Sequence, residues 1–365
     1  MKIINTGAVY EIYSDNLKVF DRLPPKTYSI NCSQMTGFYL TEHSDMEIKE
    51  KVYGARETKA DKVLRSFASF NRNLGVILSG NKGIGKSLFA KMLCIKAQEQ
   101  GYPVLIVERF IPGIAQYIAS IDQEVLVLFD EFDKTFRNIK TGENEADPQA
   151  GLLSLFDGIS NGKKLFVVTC NELYNINDYM VNRPGRFHYH FRFEYPSDTE
   201  IREYLSDILQ PEYHSQIENV ISFANRVSIN YDCLRAIAFE LNSGESFERA
   251  IKDLNIVNLE NERYNLTLRF SDGTTLTRKR YAMDLFSSTS EEIEMYDHHG
   301  DNIVDIEFDT NDAVYDYKIG QTIVDGDNIS FTYYGESEES QRLKTLKPLS
   351  LSITRHYDRG IHYAL

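Results

Sequence analysis

A glycine-rich segment holds the residues of this sequence whose chemistry is easiest to infer. Residues 80–87 match the pattern G-x-x-x-x-G-K-S without gaps. Glycines let the backbone curl so that successive N–H groups face one anion, and a helix that starts near Ser87 adds its dipole. Lys86 would reach the β- and γ-phosphates of ATP, and the Ser87 hydroxyl would bind Mg²⁺. We therefore predict that the nucleotide is bound by Gly80, Asn81, Lys82, Gly83, Ile84, Gly85, Lys86, Ser87 and Leu88.

Two carboxylates follow the apolar run 125–129 and form the second candidate group. In a nucleotide hydrolase, Asp130 would hold Mg²⁺ through its water shell, and Glu131 would orient and deprotonate the attacking water. An apolar run that ends in Asp-Glu is, on its own, more often an ordinary strand end. The glycine-rich segment upstream favours the catalytic interpretation. Asn171, just after a third apolar run, is the predicted amide that holds the water.

These side chains need a sheet whose strands end on the same side. Unalternated β-branched and aliphatic runs at 75–79, 125–129 and 165–169 predict buried parallel strands that are covered on both faces. Helical periodicity between the runs predicts right-handed β-α-β crossovers. Residues 51–195 are therefore expected to form an α/β core with a parallel sheet.

Three further regions flank this core. Residues 1–50 hold short alternating runs and predict a small β-rich N-terminal segment. Residues 196–258 have helical periodicity throughout, and Ser197 with Glu200 predicts a capping box at the first helix. Between residues 262 and 365 apolar and polar residues alternate, which predicts a C-terminal all-β domain with one solvated face.

Composition limits the classes of partner. The chain has 365 residues, 42% of them hydrophobic, and a net charge of −14. This acidic balance disfavours nucleic acid and anionic membranes as partners, although a local basic channel stays compatible with it. Residues 263–365 carry 11 Lys and Arg against 18 Asp and Glu, which suits either a basic partner or a solvated acidic face. Without a signal-peptide pattern, a membrane span or paired cysteines, the expected setting is the reducing cytoplasm.

A motif downstream of Asn171 adds a family resemblance. The run Asn182-Arg183-Pro184-Gly185-Arg186-Phe187 resembles the second region of homology of the AAA+ ATPases, and the likeness extends over about residues 50–255. It implies ATP hydrolysis by a homo-oligomeric ring, hexameric in the family. Asn171 matches the family's first sensor, and Arg183 and Arg186 match two arginines that enter the neighbouring subunit's site. Such an arginine is worth roughly 10³–10⁵ in rate. The alternative is a surface turn with two solvated arginines.

The resemblance gives less specific roles to three other residues. Residues 196–258 are similar to the family's helical lid over the nucleotide, where Arg235 would be the second sensor. An arginine on a helix is also commonly just solvated. Tyr53 and Gly54 resemble the segment that cups adenine, although a match this short is equally typical of a structural loop.

The sequence says less about the substrate than about the nucleotide site. The run Phe110-Ile111-Pro112-Gly113 is similar to the family's pore loop that grips a polypeptide, but the interposed Pro112 favours the first turn of a capped helix. The leading hypothesis is a ring that remodels an unidentified protein partner. The alternatives are a DNA-metabolism ATPase of clamp-loader or helicase-loader type, and an assembly scaffold with slow turnover. The motif wording most resembles AAA ATPases of tailed bacteriophages, which implies the host cytoplasm.

Overall fold

The computed structural model describes residues 1–356, apart from 6, 8–9, 45, 49–50, 55, 137–147, 158–161, 172, 182, 255, 257–262, 286–288, 298, 317–318, 320 and 334–337. The chain divides into two compact units, Met1–Glu194 and Tyr195–Leu365. The expected boundary between the helical and all-β regions, at residues 258–262, lies outside the described residues. Among the described helices, none has the length and apolar character that crossing a membrane requires.

The first unit alternates strands and helices, as the apolar runs predict. Its strands are β1 (Lys2–Asn5), β2 (Tyr10–Tyr13), β3 (Thr27–Ser33), β4 (Gly37–Glu42), β5 (Leu74–Ser79), β6 (Val104–Val107), β7 (Val125–Phe129), β8 (Lys164–Cys170) and β9 (Tyr189–Arg192). Its helices are α1 (Arg56–Ser69), α2 (Lys86–Glu99), α3 (Ile114–Ser120), α4 (Phe132–Thr135), α5 (Ala150–Phe156) and α6 (Asp178–Val181).

Seven of these strands form one sheet in the order β4-β3-β6-β7-β8-β5-β9. All neighbours are parallel except β3 and β4. The three apolar runs are the central strands β5, β7 and β8, in which every residue is buried. Continuous apolar runs suit strands whose two faces are both covered by helices. Because β8 lies between β7 and β5, the residues that follow these three strands meet at one edge of the sheet.

The N-terminal region differs from the expected separate segment. β3 pairs in parallel with β6 and antiparallel with β4, so residues 27–42 extend the sheet of the α/β core by two strands. Only β1 and β2 form a sheet of their own, a hairpin that pairs Lys2 with Tyr13. The sequence did not reveal the pairing of β3 with β6 because a parallel partner is chosen by tertiary contacts more than sixty residues away.

The second unit begins with helices. They are α7 (Asp198–Ile208), α8 (Ile217–Ala224), α9 (Tyr231–Asn242) and α10 (Phe247–Asp253). The capping box at α7 is confirmed: the Ser197 side chain accepts from the Glu200 N–H, and the Glu200 carboxylate accepts from the Ser197 N–H. Asn230 caps α9 by accepting from the Cys233 N–H. Such caps satisfy N–H groups that have no partner inside the helix.

An eight-stranded sheet follows these helices, and the pairings between its described strands are antiparallel, as the alternating pattern predicts. Its order is β14-β15-β17-β10-β11-β12-β13-β16. Its strands are β10 (Arg263–Phe270), β11 (Thr275–Ala282), β12 (Ser290–Tyr296), β13 (Asn302–Asp309), β14 (Val314–Asp316), β15 (Gln321–Asp325), β16 (Ser330–Tyr333) and β17 (Pro348–Arg355), with α11 (Glu338–Lys344) before the last.

Within the second unit, the sheet binds the end of α8. Arg355 of β17 donates to the Ala224 carbonyl at 3.2 Å and to the Ser228 hydroxyl. The Tyr264 hydroxyl of β10 donates to the Arg226 carbonyl at 2.7 Å. The last carbonyls of a helix lack intrahelical donors. Strands of the sheet therefore complete the hydrogen bonding of this helix end.

Candidate phosphate-binding and catalytic site

The glycine-rich segment connects β5 to α2, as predicted. Gly85 has a φ of 93° and precedes the first residue of α2, a conformation that costs glycine little. Lys86 is buried, and its Nζ donates to the Gly80 and Asn81 carbonyls at 2.6 Å and to Asn171 Oδ1 at 2.9 Å. Burial lowers the pKa of Lys86, and the nearby acidic groups oppose this effect. The lysine thus lies inside the loop, next to the predicted water-binding amide.

Asp130 and Glu131 directly follow β7 and are linked through one residue of β8. The Thr169 hydroxyl donates to Asp130 Oδ1 at 2.5 Å and accepts from the Glu131 N–H at 2.8 Å. Glu131 has a φ of 48°, one of two positive values among the described non-glycine residues. Such backbone strain costs of order 1–3 kcal/mol and persists only where surrounding contacts impose it. The Thr169 hydroxyl therefore helps to fix the Asp130 carboxylate and the Glu131 backbone at the sheet edge.

The Glu131 carboxylate has a basic partner in its own segment. Lys134 Nζ lies 2.5 Å from Glu131 Oε1, and both side chains are about half exposed. This hydrogen bond is the main reason that the pKa of Glu131 is lowered, with a further contribution from Lys82. The predicted base is therefore held by Lys134.

Asn171 follows β8 and faces both the lysine and the second acidic group. Its backbone N–H donates to Asp133 Oδ2 at 3.0 Å, which anchors the turn after β8. Its buried Nδ2 makes no hydrogen bond with any described residue. A buried donor without an acceptor is costly and indicates a missing polar partner. A phosphate oxygen or the attacking water fits this position.

Arg183 and Arg186, the two arginines predicted to enter the neighbouring subunit's site, have different environments. Arg183 is exposed. Arg186 is only 7% exposed, its Nη2 donates to Asp157 Oδ2 at 2.6 Å, and its Nη1 donates to the Tyr179 carbonyl at 2.7 Å. The hydrogen bond from Arg186 is the main cause of a lowered pKa of Asp157. Arg186 is therefore occupied within its own chain, whereas Arg183 faces solvent.

The remaining predicted nucleotide residues lie in two places. Tyr53 is buried and Gly54 has a φ of 75°, just before α1 in the first unit. Arg235 lies on α9 in the second unit, where its guanidinium is 3.9 Å from Asp232 and its side chain is 53% exposed. The other predicted residues, from Gly80 to Leu88, form the loop after β5 and the start of α2.

A cavity of about 410 Å³ brings the predicted metal ligands together. Ser87, Asp130 and Glu131 line it, beside Glu108 and Thr135. In the described residues no group of three or more His, Cys, Asp or Glu side chains could hold a metal. One hydroxyl and one carboxylate are enough for Mg²⁺, which keeps several waters and takes its remaining ligands from substrate phosphates. The residues present therefore fit Mg²⁺ bound together with ATP.

Four functional contacts were not predicted from the sequence. Lys134 and Asp133 received no role, and the contacts of the Thr169 hydroxyl with the Asp130 carboxylate and the Glu131 N–H were not foreseen. A polar residue inside the buried run 165–170 was the one available signal for Thr169. Asp157, the partner of Arg186, carries no local pattern, because the pair spans 29 positions of sequence and forms only in the folded chain.

Comparisons with known proteins agree with this geometry. Residues 76–195 match the family model "ATPase family associated with various cellular activities (AAA)". An "AAA ATPase forming ring-shaped complexes" from Corynebacterium kroppenstedtii is 33% identical over 165 residues, which cover 37% of this chain and 28% of that protein. A "Proteasome-associated ATPase" from Thermobifida fusca is 26% identical over 169 residues, or 38% and 29% of the two chains. One from Frankia casuarinae is 26% identical over 220 residues, or 52% and 36%.

The matches concern one domain of this chain. The chain covers less than two fifths of the length of each of these relatives. The matched region contains most of β5, the phosphate loop, both carboxylates, Asn171 and the two arginines. Residues 76–195, about a third of this chain, therefore resemble an AAA family ATPase domain.

Proposed function

We propose that this chain is a Mg²⁺-dependent ATPase that assembles into a homo-oligomeric ring and uses ATP hydrolysis to remodel a protein partner. The observation that carries the proposal is the convergence of Lys86, Asn171 and Glu131 at one edge of the sheet, with an exposed Arg183 in the same unit. The names of the relatives support a ring and action on protein. The motif likeness to ATPases of tailed bacteriophages supports a cytoplasmic setting in an infected host.

The loop supplies the binding energy for the triphosphate. N–H groups of residues 83–86 and the N-terminus of α2 face the phosphates, as in other glycine-rich anion sites. Lys86 exchanges its bonds to the Gly80 and Asn81 carbonyls for the β- and γ-phosphate oxygens. Its lowered pKa reflects burial, and the triphosphate compensates that cost by bringing negative charge. Mg²⁺, held by Ser87 and Asp130, neutralises charge on the phosphate oxygens when it is bound.

The carboxylate and the amide handle the water. Asn171 Nδ2, which lacks an acceptor, orients the nucleophile, and Glu131 accepts its proton. Glu131 must first leave Lys134, because the ion pair occupies the carboxylate that accepts the proton. Thr169 keeps the Asp130 carboxylate and the Glu131 backbone in place during this exchange.

Arg183 completes the site of the next subunit. An exposed guanidinium can approach the γ-phosphate from outside and stabilise its charge in the transition state. In this proposal Arg235 contacts the γ-phosphate from the helical lid, and Tyr53 and Gly54 cup the adenine. The all-β domain recruits the partner or stabilises the ring.

Two experiments test the proposal. Glu131→Gln should bind ATP without turning it over, retain the ring on size exclusion and capture the protein substrate; a monomer that hydrolyses ATP normally would refute it. Mixing Lys86→Ala and Arg183→Ala subunits should recover ATPase activity, because an intact loop then meets an intact arginine at some interfaces. No recovery would mean that each site is complete within one chain.

The two alternatives predict different results. A DNA-metabolism ATPase would be stimulated by duplex or single-stranded DNA, with an effect lost steeply as salt rises. A nucleotide-dependent scaffold would function fully as Glu131→Gln trapped with ATP. No structural observation in the described residues favours either of them over the remodelling ring.

A further inference from the structure

A ladder of cation–π contacts joins α1 to the edge of the ATPase sheet. Three basic side chains at three-residue spacing on α1 each lie over an aromatic ring on or just after β9. The contacts are Lys62 over Tyr189 at 5.2 Å, Lys59 over Phe191 at 5.6 Å and Arg56 over Phe193 at 5.4 Å. Exposed contacts of this type contribute about 0.5–1 kcal/mol each. The ladder fixes where the first turn of α1 lies.

Arg56 differs from the two lysines because it also reaches the phosphate loop. Its Nη2 donates to the Ile84 carbonyl at 3.0 Å. A Cβ at Gly85 would lie 2.2 Å from Arg56 Nη1, so the guanidinium contacts the loop backbone itself. This contact is a second reason why position 85 requires glycine, besides its φ of 93°.

The planar peptide bond gives this contact a consequence for phosphate binding. The Ile84 carbonyl and the Gly85 N–H belong to one trans peptide and therefore point in opposite directions. With the carbonyl held by Arg56, the Gly85 N–H is directed away from Arg56. This N–H belongs to the set that a glycine-rich loop offers to an anion.

Arg56 also adjoins the segment assigned to adenine. Its backbone N–H donates to the Gly54 carbonyl at 2.9 Å, so α1 begins directly after Tyr53 and Gly54. One residue thus connects the base-binding segment to the phosphate loop. The guanidinium suits this task because its planar group can stack on Phe193 while it donates.

We propose that Arg56 is a positioning residue that orients the Ile84–Gly85 peptide for phosphate binding, and thereby sets the affinity of the site for ATP. The inference rests on the ATPase function proposed above. It assigns Arg56 no contact with the reacting atoms, so its effect belongs to KM and nucleotide affinity rather than to the chemical step.

The test compares Arg56→Ala with Lys59→Ala. Each variant removes one cation–π contact of the ladder, but only Arg56→Ala also removes a hydrogen bond to the phosphate loop. Arg56→Ala should raise KM for ATP and Kd for ADP about tenfold, the equivalent of one hydrogen bond to a charged group, and leave kcat within about twofold. Lys59→Ala should change KM less than about twofold. Thermal unfolding of both variants reports on the structural role that they share.

The outcomes separate this inference from the proposed function. Arg56→Lys keeps the charge near Phe193 without the planar fork, remains a mild change for folding, and should raise KM about threefold. A KM equal to that of the wild type in both Arg56 variants, or an equal loss in Lys59→Ala, would overturn the inference while ATPase activity stands. A wild-type chain that neither binds nor hydrolyses ATP would instead refute the proposed function.

Discussion

The guanidinium of Arg186 is bound by the carboxylate of Asp157 in the same chain. Two nitrogens of the arginine face the two oxygens of the aspartate, and a third donates to the Tyr179 carbonyl. A bidentate pair of this kind is directional and fixes the orientation of the planar group. The turn that presents Arg183 is therefore anchored by this pair, and we predict that the two arginines of the motif have separate tasks.

Substitution of the two arginines should separate those tasks. Arg183→Ala should lower kcat by about 10³-fold or more, since a finger arginine acts on the transition state, and leave thermal stability unchanged. Arg186→Ala should cost about 1–2 kcal/mol of stability, because it removes a buried guanidinium that donates two hydrogen bonds to the half-exposed Asp157 and one to the Tyr179 carbonyl. ATPase kinetics and thermal unfolding of each variant measure this. Equal kinetic losses at equal stability would show that both arginines act in trans.

Acid should weaken the same pair. Arg186 lowers the pKa of Asp157 from its ordinary value of 3.8. The stability contributed by the pair is therefore complete above pH 3.8 and is lost as pH falls through the lowered pKa. Asp157→Asn should remove this pH-dependent part of the unfolding free energy. If the acid limb of the stability curve is identical in wild type and variant, the pair contributes nothing in solution.

Lys134 should restrain the catalytic base. Its removal in Lys134→Met frees Glu131, so kcat at saturating ATP should rise about threefold, a modest effect because a half-exposed ion pair is weak. Steady-state hydrolysis by purified wild type and variant tests this. The matched control is Lys252→Met, an exposed lysine of α10 in the second unit. A lower kcat in Lys134→Met would instead mean that Lys134 assists the reaction.

Substitution of Phe110 tests whether the segment 110–113 grips a polypeptide. Its side chain is 36% exposed, and its ring packs edge-on against Phe136 at 5.8 Å, just before the turn in which Gly113 precedes α3. If this segment grips substrate, Phe110→Ala abolishes partner remodelling and leaves nucleotide binding intact. Because Pro112 and the start of α3 at Ile114 favour a structural role, we expect remodelling to be unchanged, measured with the partner captured by Glu131→Gln. Unchanged remodelling would show that the segment only starts α3.

The junction between α8 and the sheet should hold the second unit together. Arg355→Met removes the bonds to the Ala224 carbonyl and the Ser228 hydroxyl, and should destabilise this unit by about 2 kcal/mol. Hydrogen exchange at the end of α8 should accelerate in the variant. Arg342→Met serves as the control, since Arg342 pairs with Asp272 at the surface. Equal exchange at α8 in both variants would contradict the role of Arg355.

The sequence by itself was sufficient for the local parts of the site. The spacing of Gly80, Gly85 and Lys86 predicts a phosphate loop because the glycines allow a backbone conformation that depends only on neighbouring residues. The central strands β5, β7 and β8 were predicted because buried parallel strands must be apolar at every position. The Ser197–Glu200 capping box and the alternating strands of the second unit are likewise short-range patterns, and the structure has both.

Only the tertiary structure decided which distant residues meet. Neither the addition of β3 to β6 nor the contact of Arg56 with Ile84 leaves a local pattern, because both form between segments that the fold brings together. The pair of Arg186 with Asp157 also leaves no local pattern. The motif predicts that Arg186 enters the neighbouring subunit's site, whereas in the structure Asp157 of the same chain binds it. Local backbone chemistry determines the loop, whereas the orientation of long, charged side chains depends on partners that only folding supplies.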